Sequence, residues 1–454
     1  MSINVQPPSG MRDFLPQEVK KRRYILNIIK DAYEKYGYLP IETPALERLE
    51  VIYGKTGAET DKLIFEILKR GEKLEDAIKN SEQLSEYGLR FDLTVPLARF
   101  YANNIGNLPG LFKRYQIGPV WRAERAQKGR YREFYQCDID VIGSDSPFNE
   151  VEIILATMDA FYALGFEDFV ININDRRILF QILKSLDIYL RDEVLISIDK
   201  LDKIGKKEVL KQLIEIIGED KANKIMIVFD SVAKAKGSID RINILENAIT
   251  NLSGSDEVYD STPYDQLRLI IDTIDAVGEK KNIIFNPYMV RGMTYYTGPI
   301  FEITIQDVSF SLAGGGRYDE LIGVYNKYDV PACGISIGFE RIYYLMCERA
   351  MFPKDIEKNE VFMTVFTKEL MTDCLKIAKD LRGEGFNVFV YPDFNDKIGR
   401  QITSALKNNF KIALFYGEDE KKKNCISVKN LDLNKQDTIA MDLLVDYIKT
   451  QLKV

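Results

Sequence analysis

The sequence predicts an α+β protein of two or three domains, closed at its C-terminal end by a smaller α/β domain. Three observations carry this. At 454 residues, with 46% hydrophobic and 29% charged, the chain exceeds what one hydrophobic core usually organises and has the composition of a folded globular protein. Residues 114–143, RYQIGPVWRAERAQKGRYREFYQCDIDVIG, read as two strands joined by a basic loop. Beyond residue 360, strand-like and helix-like segments alternate, the pattern of a compact α/β domain.

Composition excludes several kinds of chemistry. The five cysteines, Cys137, Cys333, Cys347, Cys374 and Cys425, contain no C-x-x-C pair. They suggest neither a disulfide framework nor a thiolate zinc site, and a reducing, cytoplasmic setting is expected. There is no histidine. That removes Ser-His and Cys-His nucleophiles, imidazole-ligated metals and the ordinary side-chain pH switch near neutrality. Chemistry must then run on Arg, Asp, Glu, Tyr and backbone dipoles. A net charge of −7 argues against a blanket nucleic-acid binder but permits a local basic surface. The N-terminal segment is polar and no apolar run reaches membrane-spanning length, so no signal peptide or membrane anchor is expected.

In chain order, PPSGMRDFLP is a Gly/Pro-punctuated entry. It leads into a helix in which Tyr24, Ile25, Ile28, Ile29 and Ala32 recur at helical spacing. GYLPIETPALE reads as a short apolar strand bracketed by prolines. LRFDLTVPLARF reads as a strand end followed by a helix, with Asp92 or Thr94 as cap. In the 114–143 hairpin the period of two sets Phe134, Gln136, Asp138 and Asp140 on one face and Tyr135, Cys137, Ile139 and Val141 on the other. Arg122 and Glu124 share a face by the same rule. The hairpin thus offers a guanidinium, carboxylates, an amide and a ring, a cradle for a small molecule with a phosphate and a planar base. A half-buried hairpin with a solvated loop would read similarly.

Residues 175–275 turn Lys- and Ile-rich with helical periodicity. Lys200, Lys203, Lys206 and Lys207 there are either phosphate-neutralising or simply solvated. YMVRGMTYYTGPIFE, residues 288–302, reads as a turn at Arg291 and Gly292 running into a strand that carries Tyr295 and Tyr296. AGGGRYD, residues 313–319, is expected to follow a strand, its glycines allowing close backbone approach. GISIGFERIYYLM, residues 334–346, reads as a strand entering a helix. Phe339, Ile342, Tyr343 and Met346 form its apolar stripe, and Arg341 lies off the stripe in the first turn. No P-loop or dinucleotide fingerprint is present.

R-x-E, a QKGRYR loop and F-x-Q-x-D-x-D resemble the second signature motif of class II aminoacyl-tRNA synthetases in its histidyl form. GYLPIETPALE and GISIGFERIYYLM resemble the first and third motifs, RGMTYY and AGGGRYD the two histidyl signatures. Thr294 departs from the Asp that many members carry. The resemblance covers essentially the whole chain. It implies a catalytic domain, 1–345, with a mixed, mainly antiparallel sheet flanked by helices and interrupted by a helical insertion at 175–275. A linker, 346–359, and an α/β anticodon-binding domain, 360–454, follow.

The resemblance implies ATP and Mg²⁺, L-histidine and histidine tRNA as reactants and partners, and a homodimer. By position it assigns the histidine α-amino group to Asp92, Leu93, Thr94 and Gln136, and the imidazole to Asp140 with Tyr295 or Tyr296. ATP goes to Arg122, Glu124, Arg130, Phe134 and Arg341, catalysis to Arg291 and Arg122, and the extra 5′ guanosine of the tRNA to Gln127. Titration of activity near pH 6 to 7 is then expected chiefly from the substrate ring, whose reference pKa is about 6.5. The alternative is a non-catalytic relative, the regulatory subunit of ATP phosphoribosyltransferase. That subunit typically lacks the C-terminal domain and degrades the arginine motifs, which are intact here.

Overall fold

In a computed structural model, residues 3–54, 63–125, 129–189, 191–252, 259–277, 283–290, 295–306, 308 and 310–452 are described. The chain divides into two compact units, Met1–Phe14 with Arg22–Met351, and Leu15–Lys21 with Phe352–Val454.

In the first unit the strands are β1 (Leu39–Pro40), β2 (Leu46–Arg48), β3 (Glu66–Leu68), β4 (Ser85–Leu89), β5 (Phe112–Trp121), β6 (Glu133–Ile142), β7 (Phe169–Asp175), β8 (Ile283–Phe285), β9 (Pro299–Ile305), β10 (Ala313–Arg317) and β11 (Ala332–Gly338). Among the described residues, eight of them form one sheet in the order β1-β5-β6-β11-β10-β9-β7-β8. The pairings from β5 through β7 are antiparallel, and only β1 against β5 and β7 against β8 are parallel. The mixed, mainly antiparallel sheet is therefore as expected. β2, β4 and β3 make a separate small antiparallel sheet that the sequence reading did not anticipate.

Parallel neighbours need a long crossover. The one joining β7 to β8 contains helices from Arg176–Ser185 through Thr262–Val277. Their apolar residues, such as Val209, Leu213, Ile225, Phe229 and Leu245, are buried. Lys206 is ion-paired with Asp230 and half-exposed.

The β5–β6 hairpin pairs Arg114 with Asp140, Gln116 with Asp138 and Gly118 with Gln136. β11 lies on the other side of β6, with Gly334 opposite Asp140, Ser336 opposite Asp138 and Gly338 opposite Gln136. Small residues at alternate positions of β11 thus face polar ones on β6, and this leaves room above the sheet. The register is tight at one point. A Cβ on Gly334 would collide with the Asp140 carboxylate and with the Ile139 carbonyl.

Several expectations need correction. Tyr295 and Tyr296 precede β9, which begins only at Pro299. The backbone there is occupied in a connection, with Thr297 N donating to the Arg317 carbonyl. Gly314, Gly315 and Gly316 do not follow a strand but form β10 itself, where a Cβ on Gly315 would strike the Gly334 carbonyl of the neighbouring strand. Arg122 and Glu124 lie past the end of β5. The proline-bracketed strand shortens to β1, whose two residues are exposed at the sheet edge.

In the second unit the strands are β12 (Asn359–Met363), β13 (Val388–Val390), β14 (Phe410–Phe415), β15 (Cys425–Asn430) and β16 (Lys435–Ala440), in the order β13-β12-β14-β15-β16. The helices Met371–Gly383 and Ile398–Lys407 connect the parallel strands. The alternation reading stands, with β16, whose residues are mostly exposed, added by the structure.

Within the first unit, Arg317 forms a two-point ion pair with Glu150 at 2.6 and 2.7 Å, both side chains buried. Removing Glu150 leaves the buried guanidinium with the half-buried Asp319 at 3.2 Å in place of its two-point partner, so Glu150→Ala is expected to lower stability by about 3 kcal/mol. Urea unfolding followed by circular dichroism checks it, and a loss within 1 kcal/mol would contradict the buried pairing.

Candidate active site

One cavity of about 210 Å³ opens above the β6 and β11 face. It is lined by Asp92, Thr94, Arg122, Glu124, Arg130, Phe134, Gln136, Asp140, Tyr295, Tyr296 and Arg341, so residues scattered over 250 positions of sequence meet around one space. Leu93 is buried and outside the lining, and its carbonyl lies 3.5 Å from Arg114 Nη2. Gln127 and Arg291 lie outside the described residues. Asp138, Tyr318, Ser336 and Glu340 also line the space and were not singled out from sequence. The period-two reading puts Asp138 on the correct face, and Tyr318, Ser336 and Glu340 lie within AGGGRYD and GISIGFERIYYLM without a role assigned to them.

At one end stand the carboxyl groups. Asp92 Oδ1 accepts from Val95 N at 3.1 Å, in the first turn of the helix Thr94–Asn104. Its Oδ2 is buried without a hydrogen-bond partner among the described residues. Asp140 Oδ2 is 2.7 Å from Arg114 Nη2, an ion pair out of line for a hydrogen bond, while Tyr318 donates its hydroxyl to Oδ1. Gln136 Nε2 donates to Ser336 Oγ at 2.7 Å. Tyr295 and Tyr296 meet edge to face, with ring centroids 4.9 Å apart.

At the other end are the arginines and an aromatic ring. Arg122 donates through Nε to the Phe91 carbonyl at 3.0 Å and lies 5.0 Å from the Phe134 ring centroid. Arg130, half-exposed, pairs with Glu124 at 2.9 Å. Arg341 donates to the Ser311 carbonyl at 2.5 Å and lies over Phe310 at 5.3 Å. Behind them Glu340 receives both Arg12 and Arg22, and Arg12 stacks 3.7 Å from the Tyr131 ring centroid. The N-terminal segment is thereby tied to the basic loop and to the helix Phe339–Glu348.

Burial sets the electrostatics. It raises the Asp92 pKa to about 6 against the opposing pull of Arg122 and Arg114. It raises Asp138 to about 7 against Arg114 and the Ser336 hydroxyl. Asp140 is also raised by burial, with Arg114 and Tyr318 working the other way. Desolvation lowers Arg122, opposed by Asp92 and Glu124. Burial therefore brings two of the site's aspartates toward the near-neutral range that a histidine would ordinarily occupy.

A mainly antiparallel sheet with a motif-2-type hairpin and a motif-3-type strand and helix converging on one cavity defines the catalytic core of a class II aminoacyl-tRNA synthetase. Residues 10–342 match the family model described as histidyl-tRNA synthetase, and residues 358–451 match an anticodon binding domain. A histidine–tRNA ligase of Cytophaga hutchinsonii is 39% identical over 457 residues, covering 96% of this chain and 98% of that protein. The solved histidyl-tRNA synthetase of Nostoc sp. PCC 7120 superposes with a TM-score of 0.83 at 30% identity, covering 99% of this chain and all of that one. A structure from Bacillus halodurans, described as an ATP phosphoribosyltransferase regulatory subunit/histidyl-tRNA synthetase, shares the fold at a TM-score of 0.71 and 21% identity, over 90% of this chain and 98% of that one. The chain belongs to the histidyl-tRNA synthetase family.

A carboxyl whose folded-state pKa is raised holds its proton more tightly when native, so its ionisation weakens the fold. For Asp138 that loss develops as pH climbs from the ordinary value of 3.8 through about 7. Asp138→Asn is expected to stabilise the chain by on the order of 2–4 kcal/mol near pH 8 and by less than half of that near pH 5. Unfolding midpoints at the two pH values test this, and an equal effect at both would contradict it.

Proposed function

We propose that the chain is a histidine–tRNA ligase that activates L-histidine with ATP and transfers it to the 3′ end of histidine tRNA. The observation that carries this is the single cavity with a carboxyl-rich end for an ammonium and a ring, continuous with an arginine-rich end bearing an exposed aromatic face for a nucleotide. In the first step the histidine carboxylate forms a bond to the α-phosphorus while the bond to the bridging oxygen breaks and pyrophosphate leaves. The carboxylate is already ionised, so no general base is required. The work is positioning and charge stabilisation.

Asp92, a lining residue whose Oδ2 has no hydrogen-bond partner among the described residues, suits the α-ammonium, together with Thr94 and Gln136. Asp140 and the Tyr295–Tyr296 pair suit the imidazole. Phe134 stacks on adenine and Glu124 accepts from its amino group, which requires Arg130 to leave Glu124. That ion pair is solvent-screened and worth about 0–1 kcal/mol, so phosphate oxygens displace it readily. Arg130 and Arg341 then hold the β- and γ-phosphates, and Arg122 with Arg291 clamps the α-phosphate and the attacking carboxylate; a guanidinium supplies two parallel donors where lysine supplies a point charge. Glu124 and Glu340, the carboxylates nearest the phosphate end, are both engaged by arginine. Mg²⁺ accordingly enters as part of the nucleotide substrate, carried largely by phosphate oxygens. In the second step the terminal ribose hydroxyl of the tRNA attacks the carbonyl and AMP leaves.

The assignment of Gln127 to the 5′ guanosine, catalytic, linker and anticodon-binding domains at 1–345, 346–359 and 360–454 with the insertion at 175–275, a homodimer and a cytoplasmic location belong to this reading on the family resemblance. The regulatory-subunit reading is disfavoured by the intact arginines and by the C-terminal unit that matches an anticodon-binding model. ATP–pyrophosphate exchange with each of the twenty amino acids decides between the two. Exchange with histidine alone is expected, and a folded protein with no exchange would favour the regulatory subunit. Arg122→Lys is expected to keep its fold and lose about 10²-fold or more in exchange rate. Near-normal exchange would remove Arg122 from the phosphate clamp.

A further inference from the structure

We propose that Asp138 is a specificity-determining residue whose carboxyl shares one proton with the substrate's imidazole, so that histidine binds together with a proton drawn from solvent. The inference rests on the histidine reading above and adds to it a residue and a proton.

Three carboxyl groups sit at the amino-acid end, Asp92, Asp138 and Asp140, none more than 3% exposed. Of the guanidiniums that act on them, Arg114 is committed to Asp140 at 2.7 Å, and Arg122 acts on Asp92 while donating to the Phe91 carbonyl. Asp140 is further occupied by the Tyr318 hydroxyl. The α-ammonium of an amino acid balances Asp92. Asp138, a lining residue of the cavity, is then the carboxyl with no guanidinium in contact among the described residues. Its Oδ1 is buried and has no hydrogen-bond partner among the described residues.

The surroundings of Asp138 do not supply that partner. On β5, Gln116 lies opposite it, and Gln116 Nε2 donates to Thr43. Arg90 acts on it from farther off, but donates to the Thr43 and Pro119 carbonyls. On β11, Ser336 offers one hydroxyl, which also receives Gln136. Tyr33, from the helix Pro16–Lys35, donates to the Cys137 carbonyl, and the Cys137 thiol lies on the opposite face of β6. Among the described residues, Asp140, Asp92 and Tyr295 also act on it.

A neutral imidazole has one donor and one acceptor, so two ionised carboxylates cannot both be satisfied by it. An imidazolium between Asp138 and Asp140, or a neutral ring accepting from protonated Asp138, satisfies both. The two arrangements carry the same total of one added proton. Near pH 8 the free ring, with a pKa of about 6.5, is neutral, so the proton must come from solvent. A ring or side chain that cannot share this proton leaves Asp138 buried and unpaired, which gives the pocket a reason to reject isosteres.

The test is calorimetric titration of L-histidine into the full chain near pH 8, in phosphate and in Tris, whose ionisation enthalpies differ. The dependence of the observed heat on buffer enthalpy gives the protons taken up. About one proton per histidine is expected for the unchanged protein, and near zero for Asp138→Asn, with binding about 10–100-fold weaker. Asp138→Ser, smaller than the native side chain, carries the same expectation should the Asn variant fail to fold. No uptake in the unchanged protein, or uptake that survives both substitutions, overturns the proposal. Histidine-dependent pyrophosphate exchange is run alongside. Exchange without proton uptake sinks this inference alone, whereas absence of exchange sinks the underlying reading.

Discussion

One buried guanidinium organises the amino-acid end of the cavity. Arg114 is fully enclosed, sits opposite Asp140 in the β5–β6 register and reaches the Leu93 carbonyl. It therefore joins the hairpin to the segment that delivers Asp92 and Thr94. The arrangement is not economical in stability. Arg114 Nε and Nη1 have no hydrogen-bond partners among the described residues, and buried ion pairs are often no better than apolar packing. What the pair supplies is place. With Asp140 drawn to Arg114 and to Tyr318, the carboxylate lies directly over Gly334, where any side chain would intrude. The glycine, the aspartate and the arginine thus constrain one another across three adjacent strands.

The same constraint explains why the site is strained electrostatically rather than geometrically. Three carboxyls are desolvated together, and for Asp92 and Asp138 burial outweighs the pull of the nearby arginines, so both are pushed toward neutral pH. In a protein without ligands that is a cost, since each ionisation is opposed by its neighbours. On the proposed reading, histidine reverses the balance by adding positive charge beside these carboxyls. Stability given up by the empty pocket is thereby returned as selectivity for a ligand with an ammonium and a protonatable ring, a trade common to functional sites.

Much of this was legible in sequence because it depends on local rules. The period of two placed Gln136, Asp138 and Asp140 on one face, and the first-turn position of Arg341 followed from the apolar stripe of its helix. What escaped was information carried by register. Nothing local says that Gly334, Ser336 and Gly338 lie opposite those three polar residues, or that β10 consists of the glycine run itself. Arg114 was quoted in the hairpin without a role, because its importance comes from Asp140 across the strand pair and Leu93 some twenty residues earlier. The absence of histidine removes the ordinary near-neutral side chain, and it takes burial, which no local pattern shows, to raise Asp92 and Asp138 toward that range. The small sheet of β2, β3 and β4 escaped too, its strands being of three to five residues.

The arginines at the nucleotide end differ in how firmly they are held, and the difference fits the demands of adenylation. Arg122 is fixed by a backbone carbonyl and flanked by Phe134, so its guanidinium is oriented without a ligand. Arg341 is likewise anchored, by Ser311, on a helix whose neighbouring residue Glu340 is locked between Arg12 and Arg22. Among the described residues, Arg130 pairs with Glu124 alone, through a half-exposed guanidinium. Charge stabilisation at a reacting phosphorus is most effective when the donors need no reorganisation as charge develops. A donor to phosphates that must arrive and then depart gains from an exchangeable partner instead. Rigid placement at Arg122 and a replaceable contact at Arg130 therefore match a reaction in which the α-phosphate stays with the enzyme-bound intermediate while pyrophosphate is released.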